Sequence, residues 1–177
     1  MQVQELSLTG AKVIRPKIFF DERGFFRETF RKPLYDALGI DDDFVQDNHS
    51  FSKRGTLRGM HFQRAPGQAK LVSVIEGKIF DVVVDIRPES PTFGKWEGVY
   101  LDGREGNQMY VPVGFAHGFC VMSEQAHVCY KVSSVYDPLE ERTFRFNDPF
   151  VGIQWPIDDP LLSERDLSCP LLKEAMS

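Results

Sequence analysis

The sequence has few cysteines, no excess of basic residues and no long apolar run. Cys120, Cys129 and Cys169 are an odd number without C-x-x-C spacing, so neither a disulfide framework nor a zinc site is indicated. The formal net charge of -5 argues against nucleic-acid binding, which favours a basic surface. No stretch approaches the roughly 18 apolar residues of a membrane helix, and residues 1–10 lack the pattern of a secretory signal. These absences predict a cytoplasmic protein without a membrane partner.

Helical periodicity is also scarce. Residues 32–40 are long enough for two helical turns, with Pro33 near the start and Gly39 as a stop. Residues 157–177 form a tail that is suited to short helical turns. Helices are therefore expected only as short segments in the N-terminal third and at the C-terminus.

Most of the remaining sequence has the composition of strands and turns. The clearest segments, rich in Val, Ile, Phe and Tyr and ending at Gly, Pro or Asp, are 68–78, 78–88 and 127–138. Turn signals recur about every ten residues. Many short strands with frequent turns predict a single all-β domain over residues 1–177, an antiparallel sandwich or barrel with its core at about 45–150.

Two segments resemble the motifs of the cupin double-stranded β-helix, a jelly-roll barrel. Residues 106–118, GNQMYVPVGFAHG, fit the second cupin motif, G-x5-P-x-G-x2-H. The first motif, G-x5-H-x-H-x3,4-E-x6-G, is only partly met by residues 55–77, since Gln63 and Lys70 replace a histidine and the glutamate. Glutamine is a weak ligand and a protonated lysine has no lone pair. We therefore expect a barrel without a metal ion, in which Lys70 supplies a fixed positive charge.

Strand alternation predicts which of these side chains face the interior of the barrel. His61 shares a strand face with Gly59 and Gln63, whereas Lys70 and Tyr130 each share a face with valines of their own strands. Inside one barrel, these three side chains provide a base, an electrophile and an acid. Arg58 does not share the face of His61 unless Gly59 allows a β-bulge.

The order of motifs along the chain resembles that of the dTDP-4-dehydrorhamnose 3,5-epimerase family from about residue 10 to residue 170. The segments that carry the resemblance are RGFFRETF (23–30), QDNHSFS (46–52), GTLRGMHFQ (55–63), VVVDIRPESPTFGKW (82–96), VPVGFAHGF (111–119) and LSERD (162–166). The resemblance implies epimerisation of dTDP-4-dehydro-6-deoxy-D-glucose at C3 and C5, without a cofactor. The product, dTDP-4-dehydro-L-rhamnose, would supply cell-surface polysaccharide precursors.

The resemblance also implies a role for each catalytic residue. The C3 and C5 protons lie next to the C4 ketone, so removal of either one gives an enolate. His61 resembles the base, and an imidazole with its ordinary pKa of about 6.5 suits this task near neutral pH. Asp166 resembles its carboxylate partner, Lys70 would face the C4 oxygen, and Tyr130 resembles the acid on the opposite face.

Further residues are implied as substrate ligands, because forked arginine donors and polar side chains suit a nucleotide diphosphate. With Lys70, they are Arg23, Glu28, Gln46, Asn48, Arg58, His117, Glu141 and Arg165. In the family the nucleotide site also draws on a neighbouring subunit, which implies a homodimer.

Other readings stay open at this point. Arg23 and Glu28 would also suit a surface ion pair, and Asp166 would suit the cap of a short helix at LSERD. A C3-only or C5-only epimerase would use the same base and acid. A non-catalytic sugar-nucleotide binding module would keep the arginines but not the base or the acid. A metal-dependent cupin dioxygenase is disfavoured by Lys70 and Gln63.

Overall fold

Thirteen strands and three short helices make up the computed structural model, which describes residues 1–177. The strands are β1 (Gln2–Glu5), β2 (Lys12–Arg15), β3 (Ile18–Asp21), β4 (Gly24–Arg27), β5 (Gln46–Lys53), β6 (Leu57–Gln63), β7 (Lys70–Glu76), β8 (Lys78–Asp85), β9 (Trp96–Asp102), β10 (Gln108–Val111), β11 (Phe115–Val121), β12 (Gln125–Val132) and β13 (Glu141–Thr143). The helices are α1 (Lys32–Asp36), α2 (Glu164–Leu167) and α3 (Leu172–Ala175). The predicted all-β, cupin-type barrel with short helical segments is confirmed.

Two antiparallel sheets face each other and enclose the main core. One sheet has the order β1-β2-β10-β7-β12-β5 and the other β13-β6-β11-β8-β9, while β3 and β4 form a separate hairpin. A cluster of 16 buried residues fills the space between the sheets, with Val72 and Val128 from one sheet and Val83 and Phe119 from the other. The N-terminal strands β1 and β2 also belong to the six-stranded sheet, although they lie outside the core range expected from the sequence.

The outer face of the six-stranded sheet is covered at one end by α1. Tyr35 of this helix is fully buried against Leu71 and Tyr110, which point away from the barrel interior. The helix has Pro33 in its first turn and ends at Asp36, four residues before the end of the range predicted from the sequence. No helix of the structure is long and apolar enough to cross a membrane.

Strand β6 contains a bulge that decides which residues share the face of His61. On the neighbouring strand β11, His117 lies opposite His61 and Phe119 lies opposite Arg58, so β6 has one extra residue between these pairs. Gly59 makes this possible, because its φ is +132° and a Cβ there would lie 2.6 Å from a backbone atom of β11. The extra residue shifts the alternation by one, and Arg58 therefore lies on the same face as His61.

Candidate active site

His61 and Asp166 form the centre of the site. Nε2 of His61 lies 2.7 Å from Oδ1 of Asp166, although the two residues are 105 positions apart in the sequence. An ionised carboxylate only accepts hydrogen bonds, so Nε2 carries the proton and Nδ1 of the neutral ring keeps its lone pair. The His61 side chain is 28% exposed, whereas that of Asp166 is buried. His61 therefore presents Nδ1 as a base and has a buried carboxylate behind it.

The first turn of α2 holds Asp166 in place. Ser163 is the N-cap of this helix: its Oγ accepts a hydrogen bond from the Asp166 backbone N–H at 3.1 Å and donates one to Oδ2 at 2.8 Å. Burial by itself raises the pKa of the Asp166 carboxyl, but hydrogen bonds from His61 and Ser163 and the charges of His61 and Arg165 hold it below its usual value. The cap is thus Ser163, and the carboxylate of Asp166 is free to pair with the imidazole.

Lys70 is a buried cation next to this pair. It lies at the start of β7 with only 7% of its surface exposed, and its Nζ donates a hydrogen bond to the backbone oxygen of His61 at 3.4 Å. Burial lowers the pKa of Lys70 to about 8, against the opposing charges of Glu141 and Asp81. Since an ammonium group has three protons, Lys70 keeps donors for a substrate oxygen.

Tyr130 lies on the opposite wall of the barrel from His61. It is on the inner face of β12 and packs against the core between the sheets, whereas His61 belongs to the five-stranded sheet. Burial raises the pKa of its phenol, the charge of Arg58 opposes this, and that of Glu141 adds to it. The phenol is therefore protonated near neutral pH and is able to donate a proton from the side opposite to His61.

The wall next to Tyr130 is formed by Arg58 and the inner face of β5. Nε of Arg58 donates a hydrogen bond to Oγ of Ser52 at 3.0 Å. Asn48 pairs in register with Tyr130 of β12, and its Oδ1 accepts a hydrogen bond from Nε2 of Gln46 at 2.9 Å. Arg58, Gln46 and Asn48, which the sequence predicted as ligands, therefore lie around the predicted acid.

His117 forms a second histidine–aspartate pair deeper in the barrel. Its Nε2 lies 2.7 Å from Oδ1 of Asp81, and both side chains are buried. Oδ2 of Asp81 is buried without a hydrogen-bond partner. His117 lies opposite His61 across β11 and β6, so the two imidazoles are neighbours on the inner face.

Glu141 and Arg165 contact each other at the rim of the barrel. Nη1 of Arg165 lies 2.8 Å from Oε2 of Glu141, and the hydroxyl of Tyr136 donates to the same oxygen at 2.9 Å. Glu141 is also opposite Gln63 in the β13–β6 ladder. The two predicted ligands therefore lie beside the His61–Asp166 pair, half-exposed in the case of Arg165.

The side chain of Gln63 makes hydrogen bonds within the chain instead of serving as a metal ligand. Its Nε2 donates to Oγ of Ser134 at 3.1 Å, and its Oε1 accepts from the backbone N–H of Asp137 at 3.4 Å, so it holds the segment after β12. Lys70, at the other altered motif position, is a cation. No group of three or more His, Cys, Asp or Glu residues is arranged to hold a metal ion. These residues do not supply the ligand set of a metal-dependent cupin.

Arg23 and Glu28 are not brought to the site within one chain. The Arg23 side chain is 86% exposed at the tip of the β3–β4 hairpin, and Glu28 pairs with Arg31 at 3.4 Å. The next residue, Thr29, accepts a hydrogen bond from Gln108, which lies on the outer side of the six-stranded sheet. Lys70 and Tyr130 occupy the inner side of that sheet.

Three side chains of the site were not singled out from the sequence: Ser163, Asp81 and Tyr136. Ser163 precedes Asp166 by three residues, which is the spacing of an N-cap and the first-turn residue whose backbone N–H donates to it. Asp81 interrupts an apolar strand, KIFDVVVD, and a carboxylate at an inward position requires a partner. Tyr136 lies beyond the end of β12, and no local pattern indicates its contact with Glu141.

The fold and these side chains together define a cupin-type barrel in which the predicted base and the predicted acid belong to opposite walls. The chain matches the family model for dTDP-4-dehydrorhamnose 3,5-epimerase over residues 5–174. It is 46% identical over 170 residues to the dTDP-4-dehydrorhamnose 3,5-epimerase of Shigella flexneri, covering 95% of this chain and 94% of that protein. The protein therefore belongs to the dTDP-4-dehydrorhamnose 3,5-epimerase family, as its motifs suggested.

Solved structures give the same result. The dTDP-6-deoxy-D-glucose-3,5-epimerase of Legionella pneumophila, in complex with dTDP-4-keto-L-rhamnose, has a TM-score of 0.95 and 46% identity, with 97% of this chain and 93% of that chain covered. A 3'-monoepimerase from Streptomyces bikiniensis, in complex with dTDP-quinovose, has a TM-score of 0.91 and 40% identity, with coverage of 97% and 88%. Enzymes described as acting at two carbons and at one carbon thus share this fold.

Proposed function

We propose that this protein is an isomerase that converts dTDP-4-dehydro-6-deoxy-D-glucose into dTDP-4-dehydro-L-rhamnose by epimerisation at C3 and C5. The observation that carries the proposal is the 2.7 Å contact between His61 and Asp166 with the buried Lys70 beside it. A base and a preorganised cation at one end of a barrel suit proton abstraction next to a ketone.

The first half of each epimerisation is assigned to His61 and Lys70. Nδ1 of His61 removes the proton from C3 or C5, and the electron pair of the broken C–H bond becomes the enolate, with its negative charge on the C4 oxygen. Asp166 stabilises the imidazolium that results, in the same way as the carboxylate of a catalytic triad. The ammonium of Lys70 stabilises the oxyanion in a site where water is scarce.

The second half is assigned to Tyr130. Its phenol donates a proton to the same carbon from the opposite wall, which inverts the configuration and leaves a phenolate. Transfer of the imidazolium proton to solvent and of a solvent proton to the phenolate restores both groups before the next carbon reacts. The proton that enters the sugar therefore comes from water, so a reaction in D₂O places deuterium on each carbon that is epimerised.

Proton NMR of the substrate with the purified protein in D₂O, with EDTA present, tests this function. We expect deuterium at both C3 and C5, and no incorporation with His61→Ala. Label at one carbon only would identify the second candidate function, a single-carbon epimerase, which the likeness to the Streptomyces bikiniensis enzyme favours. Tight binding of dTDP without any exchange would instead indicate a sugar-nucleotide binding module.

We further propose that the protein acts as a homodimer, in which Arg23 and Glu28 of one chain complete the substrate site of the other. Four phenylalanines of the β3–β4 hairpin are more than half exposed: Phe19, Phe20, Phe25 and Phe26. Phenylalanines on both faces of an exposed hairpin favour burial against another chain. The location of Arg23 and Glu28 away from their own chain's His61 supports the same arrangement.

Mixing two inactive variants tests the dimer. We expect Arg23→Ala and His61→Ala to be strongly impaired alone, and activity to return when the two are unfolded and refolded together. Random pairing makes half of the molecules mixed dimers with one complete site each, so recovery should approach about one quarter of wild-type activity. Each variant refolded alone is the control. No recovery, with dimers present, would place Arg23 in the site of its own chain.

A cytoplasmic location and a supply of rhamnose precursors for surface polysaccharides remain predictions that follow from this proposed function.

A further inference from the structure

A pair of histidines lies on the outer face of the six-stranded sheet, on the other side from the active site. Nε2 of His49 on β5 lies 2.9 Å from Nδ1 of His127 on the neighbouring strand β12. The ring centroids are 5.1 Å apart, and both side chains point outward. Phe51, opposite His127 in the ladder, has its ring centroid 4.9 Å from the His127 ring and limits the movement of that imidazole.

This pair has no part in the proposed epimerisation. The chain has 4 histidines, and the other two, His61 and His117, each use Nε2 to contact a carboxylate inside the barrel. His49 and His127 contact each other instead, so no carboxylate holds either ring in place. Alternation along β5 puts His49 on the opposite face from Asn48, which lies at the site.

The separation of the two nitrogens suits a chelated metal ion. Metal–imidazole bonds are about 2.0–2.1 Å long, so two nitrogens in adjacent positions at about 90° around one ion are about 2.9 Å apart. The copper and nickel ions favour imidazole ligands in such square or tetragonal arrangements. In the hydrogen-bonded pair one of these nitrogens carries the proton, so metal binding requires that ring to adopt its other tautomer and both rings to turn until their lone pairs converge on one point.

The charged and sulfur groups around the pair favour two nitrogen ligands rather than a larger set. Cys129 lies opposite His49 in the ladder, but no third His, Cys, Asp or Glu side chain is arranged with the pair to hold a metal ion. Asp47 is paired with Lys131 at 2.9 Å. Water would fill the remaining positions around the ion.

We propose that His49 and His127 form a binding site for a divalent transition-metal ion of the copper or nickel class. The bound ion joins β5, which is an edge strand of its sheet, to β12. Because the inner face of β5 carries Gln46 and Asn48, the ion fastens a wall of the substrate site from its outer side. The metal site takes no part in the proton transfers of the proposed epimerisation.

Titration of the untagged, full-length protein with Ni²⁺, measured by calorimetry, tests the site. We expect one ion per chain, at least about tenfold weaker binding in His49→Asn and in His127→Asn, and unchanged binding in His61→Asn, which alters a histidine inside the barrel. The thermal midpoint should rise with Ni²⁺ in the wild type but not in the His49→Asn, His127→Asn double variant.

Electron paramagnetic resonance with Cu²⁺ provides a readout that folding alone does not change. The wild type should show coupling to two nitrogens, and each single variant to one. Wild-type protein that binds neither ion at millimolar concentration would overturn the proposal. Equal binding by the wild type and the double variant would overturn it as well, because the ion would then occupy another part of the surface.

Discussion

Replacement of His61 by alanine should lower kcat by about 10³-fold, because it removes the group proposed to take the proton from C3 and C5, and positioned acid–base groups contribute about 10²- to 10⁴-fold. Asp166→Asn should lower kcat by roughly 10²-fold, since an asparagine neither fixes the tautomer with Nδ1 free nor stabilises the imidazolium. The affinity for dTDP should change little in both variants. Steady-state kinetics and a binding titration with dTDP check these expectations.

Arg64→Ala is the matched control for these variants. Arg64 follows His61 by three residues and pairs with Glu140 at 3.2 Å on the surface, so its loss should leave kcat unchanged. Removal of His61 also takes a hydrogen-bond donor from the buried Asp166, and a loss of about 1–3 kcal/mol in stability is expected. A folded His61→Ala protein that retains more than a tenth of wild-type kcat would exclude His61 as the base.

Replacement of Lys70 by methionine should lower kcat by about 10²- to 10³-fold, because the oxyanion loses its preorganised positive charge. The ammonium form of Lys70 is required, and its pKa is about 8. Wild-type activity should therefore fall as the pH rises above about 8. A pH–rate profile with an alkaline limb near that value is the expected result, and a profile that is flat up to pH 10 would contradict it.

The same substitution should change how stability depends on pH. In the folded protein Lys70 has a pKa of about 8, against 10.5 for an ordinary lysine, so between these values the unfolded state binds more protons. The free energy of unfolding should therefore rise by about 3 kcal/mol as the pH increases from 8 to 10.5, because Lys70 loses its charge in the folded protein first. Below pH 8 the full cost of burying the charged ammonium is present. Urea unfolding at several pH values should show this rise in the wild type and not in Lys70→Met, which buries a side chain of similar length without a charge.

Strand alternation was sufficient to predict the inner faces of β7 and β12. Lys70 and Tyr130 alternate with valines that form part of the core, and a period of two is a local property of an extended chain. Without the bulge, the same alternation places Arg58 on the opposite face of β6 from His61. The bulge depends on the close approach of β11 to Gly59, which is a long-range contact that no local pattern contains.

Local sequence patterns also do not predict which side chains of the site contact each other. His61 and Asp166 are 105 residues apart, and only the family resemblance connected them. The contact of Arg165 and Tyr136 with Glu141 joins α2, the segment after β12 and β13. The location of Arg23 and Glu28 outside their own chain's barrel follows from the path of residues 27–29 over the outer face of the sheet.

By itself, the sequence determined the all-β class, the cupin-type motifs, the family and the chemical types of the candidate catalytic side chains, because these depend on residue identity, spacing and alternation. Only the tertiary structure decided that Arg58 faces the site, that Ser163 rather than Asp166 caps α2, and that His49 lies against His127. The physical reason is that each of these facts depends on which strands become neighbours, and packing across the two sheets sets that order.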